Sequence, residues 1–182
     1  VRVRGEDSAA VTELKGRATM TQVLRRLADA RIKVPNEEQA VPIGLRSVRF
    51  TPAVINAAMK TARNNTLPLN DAKGVFAQVL LREARLQLLD RGVFEEDLAR
   101  ILPDLRKSSG FKKMVDKIWP NLSGAQLVRF LLGSPTNRNK AIDGLLSPEE
   151  GNLLQRSSAK KIADEPWTAA DLPLLDEGNA IA

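Results

Sequence analysis

Residues 70–92, NDAKGVFAQVLLREARLQLLDRG, decide how this chain is read. Val75, Phe76, Val79, Leu80, Leu86 and Leu89 recur at helical spacing, with Asn70 as a capping residue in front and Gly92 as a stop behind. Arg82, Glu83, Arg85 and Asp90 fall mainly off that stripe, as solvent-facing positions do. The spacing predicts the longest helix of the chain here, and with it a mainly helical protein.

Upstream, Thr51 and Pro52 form an N-cap and first-turn pair, and Val54, Ile55, Ala58, Met59 and Ala62 make one apolar stripe. Between Ala40 and Phe50 the period changes. Val41, Ile43, Val48 and Phe50 alternate with other residues around Gly44, which predicts a two-stranded hairpin, and Pro42 marks it as an edge. Met20, Val23, Leu24, Leu27 and Ile32 follow helical spacing from Ala18, with Pro35 as the stop beyond them. Ser8 caps a short helix ending near Gly16, and Val1 and Val3 alternate with Arg2 and Arg4 as a short strand ending at Gly5.

Downstream, Pro103, Ser108, Ser109, Gly110, Pro120, Ser123, Gly133, Pro135, Gly144 and Pro148 cut the chain into short helices. Ser147 with Glu150, and Thr168 with Asp171, have capping-box spacing, each opening a new helix. The expected fold class is mainly α, an irregular bundle of short helices around one long helix, with a short N-terminal strand and a small β-hairpin.

The 182 residues are 43% apolar and 27% charged, values of a globular chain with a real core. There are 0 Cys and 0 His, which excludes disulfides, Cys/His zinc sites, cysteine nucleophiles and imidazole-based triads. No apolar run approaches the roughly 18 residues of a membrane span. The absence of Cys fits a reducing compartment, and a cytoplasmic location is expected. The N-terminus shows neither a signal peptide nor an initiating Met, and the chain reads as an excised piece of something larger.

No Gly-x4-Gly-Lys-Ser/Thr phosphate loop occurs, and the carboxylates Glu95, Glu96 and Asp97 are helix neighbours that point in different directions. Asp176-Glu177 follows a helical run, not the buried strand that precedes a magnesium-binding Asp-Glu pair, and reads as a helix end. No catalytic, cofactor-binding or metal-binding residue is therefore expected in this chain. All 28 Lys and Arg lie within residues 1–162, whereas 163–182 carry five carboxylates and no cation. The densest basic run is Arg106, Lys107, Lys112, Lys113 and Lys117, flanked by Phe111 and Trp119. Lysines can meet phosphates while aromatics stack on bases. The run can equally be a solvated helix face, because Phe111, Met114, Val115 and Ile118 form an apolar stripe that makes Phe111 core. Trp119 and Trp167 precede helix-starting signals and read as packed anchors.

Three stretches resemble the bacterial HelD-type helicase-like proteins, superfamily 1 ATPases that bind and recycle RNA polymerase. They are Leu14-Lys15-Gly16 leading to Met20 and Val23-Leu24; Ile118-Trp119-Pro120-Asn121-Leu122-Ser123 with Leu127 and Leu131-Leu132; and Trp167 through Glu177. Gly144 through Glu150 joins them. The resemblance implies a place inside the first RecA-like motor domain. Residues 1–16 correspond to the end of a motor segment, 17–165 to the family's helical insertion, and 166–182 to the return toward the motor core. It implies a non-catalytic domain whose partner is core RNA polymerase, with ATP and magnesium held by the parent protein outside this chain. The second reading is a nucleic-acid-binding accessory domain of an ATP-dependent DNA helicase, using the basic body to hold DNA. A third makes the domain a spacer between motor and partner arms.

Overall fold

The computed structural model describes residues 2–64 and 66–182. It is mainly helical, with ten α-helices and one antiparallel hairpin among the described residues. The mainly α fold with a small hairpin is as expected, and the described residues divide into two compact units, 32–121 and 2–31 with 122–182. The long helix organises only the first. This division follows packing, whereas the partition at 16 and 165 follows a resemblance, so the two describe different things.

In the unit 32–121, β1 (Gln39–Ile43) and β2 (Arg46–Phe50) pair with Val41 opposite Val48 and Pro42 opposite Ser47. Gly44 and Leu45 form the two-residue turn, with Gly44 at φ 57° and Leu45 at negative φ, the combination of a type II′ turn. α3 (Pro52–Arg63) starts as expected, the Thr51 hydroxyl accepting from the Val54 amide at 3.3 Å. α4 (Leu69–Asp90) begins one residue before Asn70 and has no side-chain cap, so Asn70 is not its N-cap. Its fully buried row is Ala72, Phe76, Leu80, Ala84 and Leu88, while Leu86 is exposed. α3 packs against α4, and the buried alanines of that row are invisible to a count of large apolar residues.

α5 (Glu95–Lys107) runs straight through Pro103, which lies on its exposed face and does not end it. α6 (Ser109–Ile118) is capped by the Ser108 hydroxyl accepting from the Phe111 amide at 3.2 Å. Phe111, Met114, Val115 and Ile118 enter the core with Phe50, Phe76 and Trp119. Trp119 has no exposed surface, its ring centroid lies 5.4 Å from that of Phe76, and its indole N–H donates to the Leu69 carbonyl at 2.9 Å.

In the other unit, Ser8 caps α1 (Ala9–Lys15), and α2 (Thr19–Asp29) buries Met20, Val23, Leu24 and Leu27. α2 ends at Asp29, so Ile32 is no part of its stripe and packs instead in the core of 32–121. α7 (Gly124–Gly133) opens with a capping box of Ser123 and Gln126, α8 (Pro135–Ile142) with Pro135, and α9 (Pro148–Leu153) with the predicted box of Ser147 and Glu150. A 3₁₀ turn, Ile162–Asp164, leads to α10 (Asp171–Ile181). α10 crosses α7 at two glycines: a Cβ on Gly178 would lie 2.7 Å from the Gly124 Cα. The Gly124 amide donates to the Asn179 side-chain oxygen at 2.7 Å in the same crossing.

The expected N-terminal strand reduces to a single parallel bridge between Val3 and Trp167, with Val3 46% exposed; Val1 lies outside the described residues. A lone bridge satisfies few backbone groups and needs no alternating burial.

Candidate functional site

The basic run is split between two helices joined at Ser108. Arg106 and Lys107 occupy the last turn of α5, and Lys112, Lys113 and Lys117 lie along α6, all five exposed. None of the five forms an ion pair among the described residues. Lys113 and Lys117 are four residues apart and share one ridge of α6, about 40° apart around the axis. Lys112 falls on the opposite flank, beside Asp116, whose carboxylate takes the Lys73 ammonium at 2.6 Å. The structure therefore gathers Lys113 and Lys117 and separates Lys112 from them.

Helix electrostatics account for part of this pattern. α5 carries Glu95, Glu96 and Asp97 in its first turn and Arg106 and Lys107 in its last, each charge opposing the end of the helix dipole it meets; Lys117 does the same for α6. Lys112 closes the first turn of α6, where a cation gains nothing from the dipole, and Lys113 lies mid-helix, so neither has such a local role.

The aromatic rings provide little to stack on. Phe50, Phe76, Phe111, Trp119 and Trp167 are buried, as the reading of Phe111 as core and of both tryptophans as anchors expects. Phe130 is half-buried, with the Arg31 guanidinium 4.6 Å from its ring centroid. Phe94 is the one fully exposed ring among the described residues, and Glu95, Glu96 and Asp97 follow it directly.

A buried charge network in the unit 2–31 with 122–182 was not expected from the sequence. The Lys15 ammonium, 2% exposed, lies 2.6 Å from Asp7 Oδ2 and 2.7 Å from Asp171 Oδ1. Arg156 donates to Asp171 Oδ2 at 2.8 Å, and its guanidinium lies 5.9 Å from the Trp167 ring centroid. Thr168 and Asp171 make only half of the expected capping box: the Thr168 amide donates to Asp171 Oδ2 at 2.9 Å, while the Thr168 hydroxyl donates to Asp7 Oδ2 at 2.6 Å. The helix consequently starts at Asp171, with Ala170 as its N-cap. Burial alone would raise the Asp171 pKa, but contacts with Lys15, the Thr168 amide and Arg156 overcome it and hold the carboxyl below its ordinary value. The signal present in the sequence was Lys15 lying four residues after Val11 and directly after Leu14, a cation on the inward face of α1.

Its ion pairs all close within the fold, although Arg156 Nε and Nη2 are buried without a hydrogen-bond partner, and its chemistry is that of an internal brace. Asp176 and Glu177 lie inside α10, not at its end, with Asp176 exposed. A shallow cavity of about 390 Å³ between α2, α7 and α8 is edged by Arg26, Arg31 and Lys140 but also by Asp29 and Asp143. Mixed charge makes it a poor anion site. Among the described residues no group of three or more acidic side chains is placed to hold a metal ion, and no helix is long and apolar enough to cross a membrane. Compared with known proteins, the chain matches no family model and no curated protein.

Proposed function

We propose that this chain is a non-catalytic helical insertion domain of a HelD-type superfamily 1 helicase-like ATPase, acting in the cytoplasm. It docks on core RNA polymerase and helps displace nucleic acid so that the polymerase is recycled, while ATP and magnesium are bound elsewhere in the parent protein. The observation that carries the docking reading is that, among the described residues, five cations on α5 and α6 are exposed and without an ion pair while Phe94 is the one exposed ring. Such a surface suits an acidic protein face better than single-stranded nucleic acid, which gains about 1–3 kcal/mol per stacked base. The resemblance supplies the identity of the partner. Two of the stretches that carry it, Leu14-Lys15-Gly16 and Trp167 to Glu177, meet through the Lys15–Asp171 ion pair.

The same cations favour a second reading, phosphate contacts to DNA by an accessory domain of a helicase. Titrating the chain against core RNA polymerase, and separately against single- and double-stranded DNA, at low and near-physiological salt distinguishes the two. Docking predicts saturable one-to-one polymerase binding that survives the higher salt. Changing Lys112, Lys113 and Lys117 together to Glu should then weaken it at an unchanged melting temperature, exposed substitutions costing little stability. Binding to DNA alone, collapsing as salt rises, would replace the docking reading with the nucleic-acid one.

A further inference from the structure

The cavity between α2, α7 and α8 lies wholly within the unit 2–31 with 122–182, and its volume of about 390 Å³ falls in the roughly 300–1,000 Å³ range of small-molecule sites. Its floor is apolar: Leu27 and Ala141 are buried and Phe130 is half-buried. Its rim carries cations and carboxylates together, a mixture that suits neither a plain anion nor a plain cation.

Arg26 is committed to the fold. Its guanidinium donates to the Ala141 carbonyl at 3.3 Å and to the Asp143 carbonyl at 2.5 Å, which ties the end of α8 to α2 and holds two walls of the cavity together. Arg31 is held differently. Its guanidinium lies over the Phe130 ring, 4.6 Å from the centroid, and it forms no ion pair among the described residues. An arginine settled on a ring face keeps its N–H edges for a planar acceptor, and the fork of those donors matches a carboxylate. Lys140 and the Asp143 carboxylate, on the same rim, also form no ion pair among the described residues. Asn137 lines the cavity too, half-buried, with an amide that can both donate and accept.

We propose that this cavity binds a free α-amino acid with an apolar side chain. Its carboxylate meets Arg31 and Lys140, its ammonium meets Asp143, and its side chain lies on Leu27, Phe130 and Ala141. Each charge of the zwitterion answers a rim group that no internal ion pair uses. A phosphorylated ligand would bring several negative charges toward Asp29 and Asp143, and a ligand with only a positive charge would face Arg31 and Lys140. The proposal stands apart from the docking reading, whose basic run on α5 and α6 belongs to the other unit.

The test is isothermal titration calorimetry of the chain with L-leucine, L-methionine and L-phenylalanine. Each is run beside its analogue lacking the amine and its analogue lacking the carboxylate, with inorganic phosphate as the plain anion. At least one amino acid should bind saturably and one-to-one, with a Kd of about 1 mM or tighter. Its analogues should bind about 10-fold more weakly or worse, and Arg31→Gln should weaken the amino acid itself by a similar factor. Arg31 is exposed, so the melting temperature of the unliganded variant should hold. Lys160→Gln, at an exposed cation of the same unit that does not line the cavity, should leave binding unchanged. Saturable binding of none of the three amino acids overturns the proposal. So does an analogue or phosphate that binds as tightly as the amino acid, and so does an Arg31→Gln chain that binds like the unaltered one.

Discussion

Asp171 accepts from Arg156 and from the Thr168 amide and faces the Lys15 ammonium, all with no exposed surface of its own. Replacing it with Asn leaves two cations short of their counter-charge, and removing one partner from a buried ion pair costs about 3–5 kcal/mol. Urea unfolding of Asp171→Asn, followed through Trp167 fluorescence, should show a loss of that order; a change below about 1 kcal/mol would mean that Lys15 and Arg156 are already satisfied by water. Trp119 offers the apolar counterpart. It fills the core beside Phe76, and Trp119→Ala should cost about 3–5 kcal/mol through the cavity it leaves. The packed role of Trp119 was legible because the stripe Phe111, Met114, Val115, Ile118 leads directly into it. The role of Asp171 was not, because Thr-x-x-Asp announces a helix start and is silent about a lysine 156 residues earlier.

Among the helices, three start signals hold and two, Asn70 and Thr168, do not cap the helices they precede. Ser8, Thr51 and Ser147 each accept from an amide three residues on, a contact settled by residues adjacent in sequence. α4 was located but misregistered: Ala84 and Leu88 complete its buried row and Leu86 does not, since which face of a helix is covered depends on the neighbours that cover it. The α7–α10 crossing depends on the same kind of information. Gly178 reads as a helix weakener, yet it is where the two backbones touch. Gly178→Ala, which would raise the propensity of an isolated helix, should instead destabilise the protein by about 1–3 kcal/mol through overpacking. Thermal unfolding followed by circular dichroism checks the sign, and a stabilised variant would show that α7 and α10 part without penalty.

The two compact units each hold one tryptophan, Trp119 in 32–121 and Trp167 in the other, so single-tryptophan variants report on them separately. Their acid responses should differ. The folded-state pKa of Asp171 is depressed, so its contribution is complete above the unfolded value of about 3.9 and is lost as pH falls below that toward the folded value. Acid titration should therefore unfold the Trp167 unit progressively below about pH 4, and Asp171→Asn should flatten that dependence while lowering stability at neutral pH. An Asp171→Asn chain with an unchanged acid profile would assign the transition to other carboxylates.

Periodicity, caps and turn residues were enough to establish a mainly helical chain, its hairpin around Gly44, most helix starts and the inward facing of Phe111, Trp119 and Trp167, because each depends on residues within a turn or two of one another. The exposed basic run was equally legible, since cations beside an apolar stripe must face away from it. Packing alone settled the division into two units, the brace joining Lys15 to Asp7 and Asp171, and the closeness of Gly124 to Gly178. Each of these couples residues far apart in the chain, and a buried charge is tolerable only where folding delivers its partner.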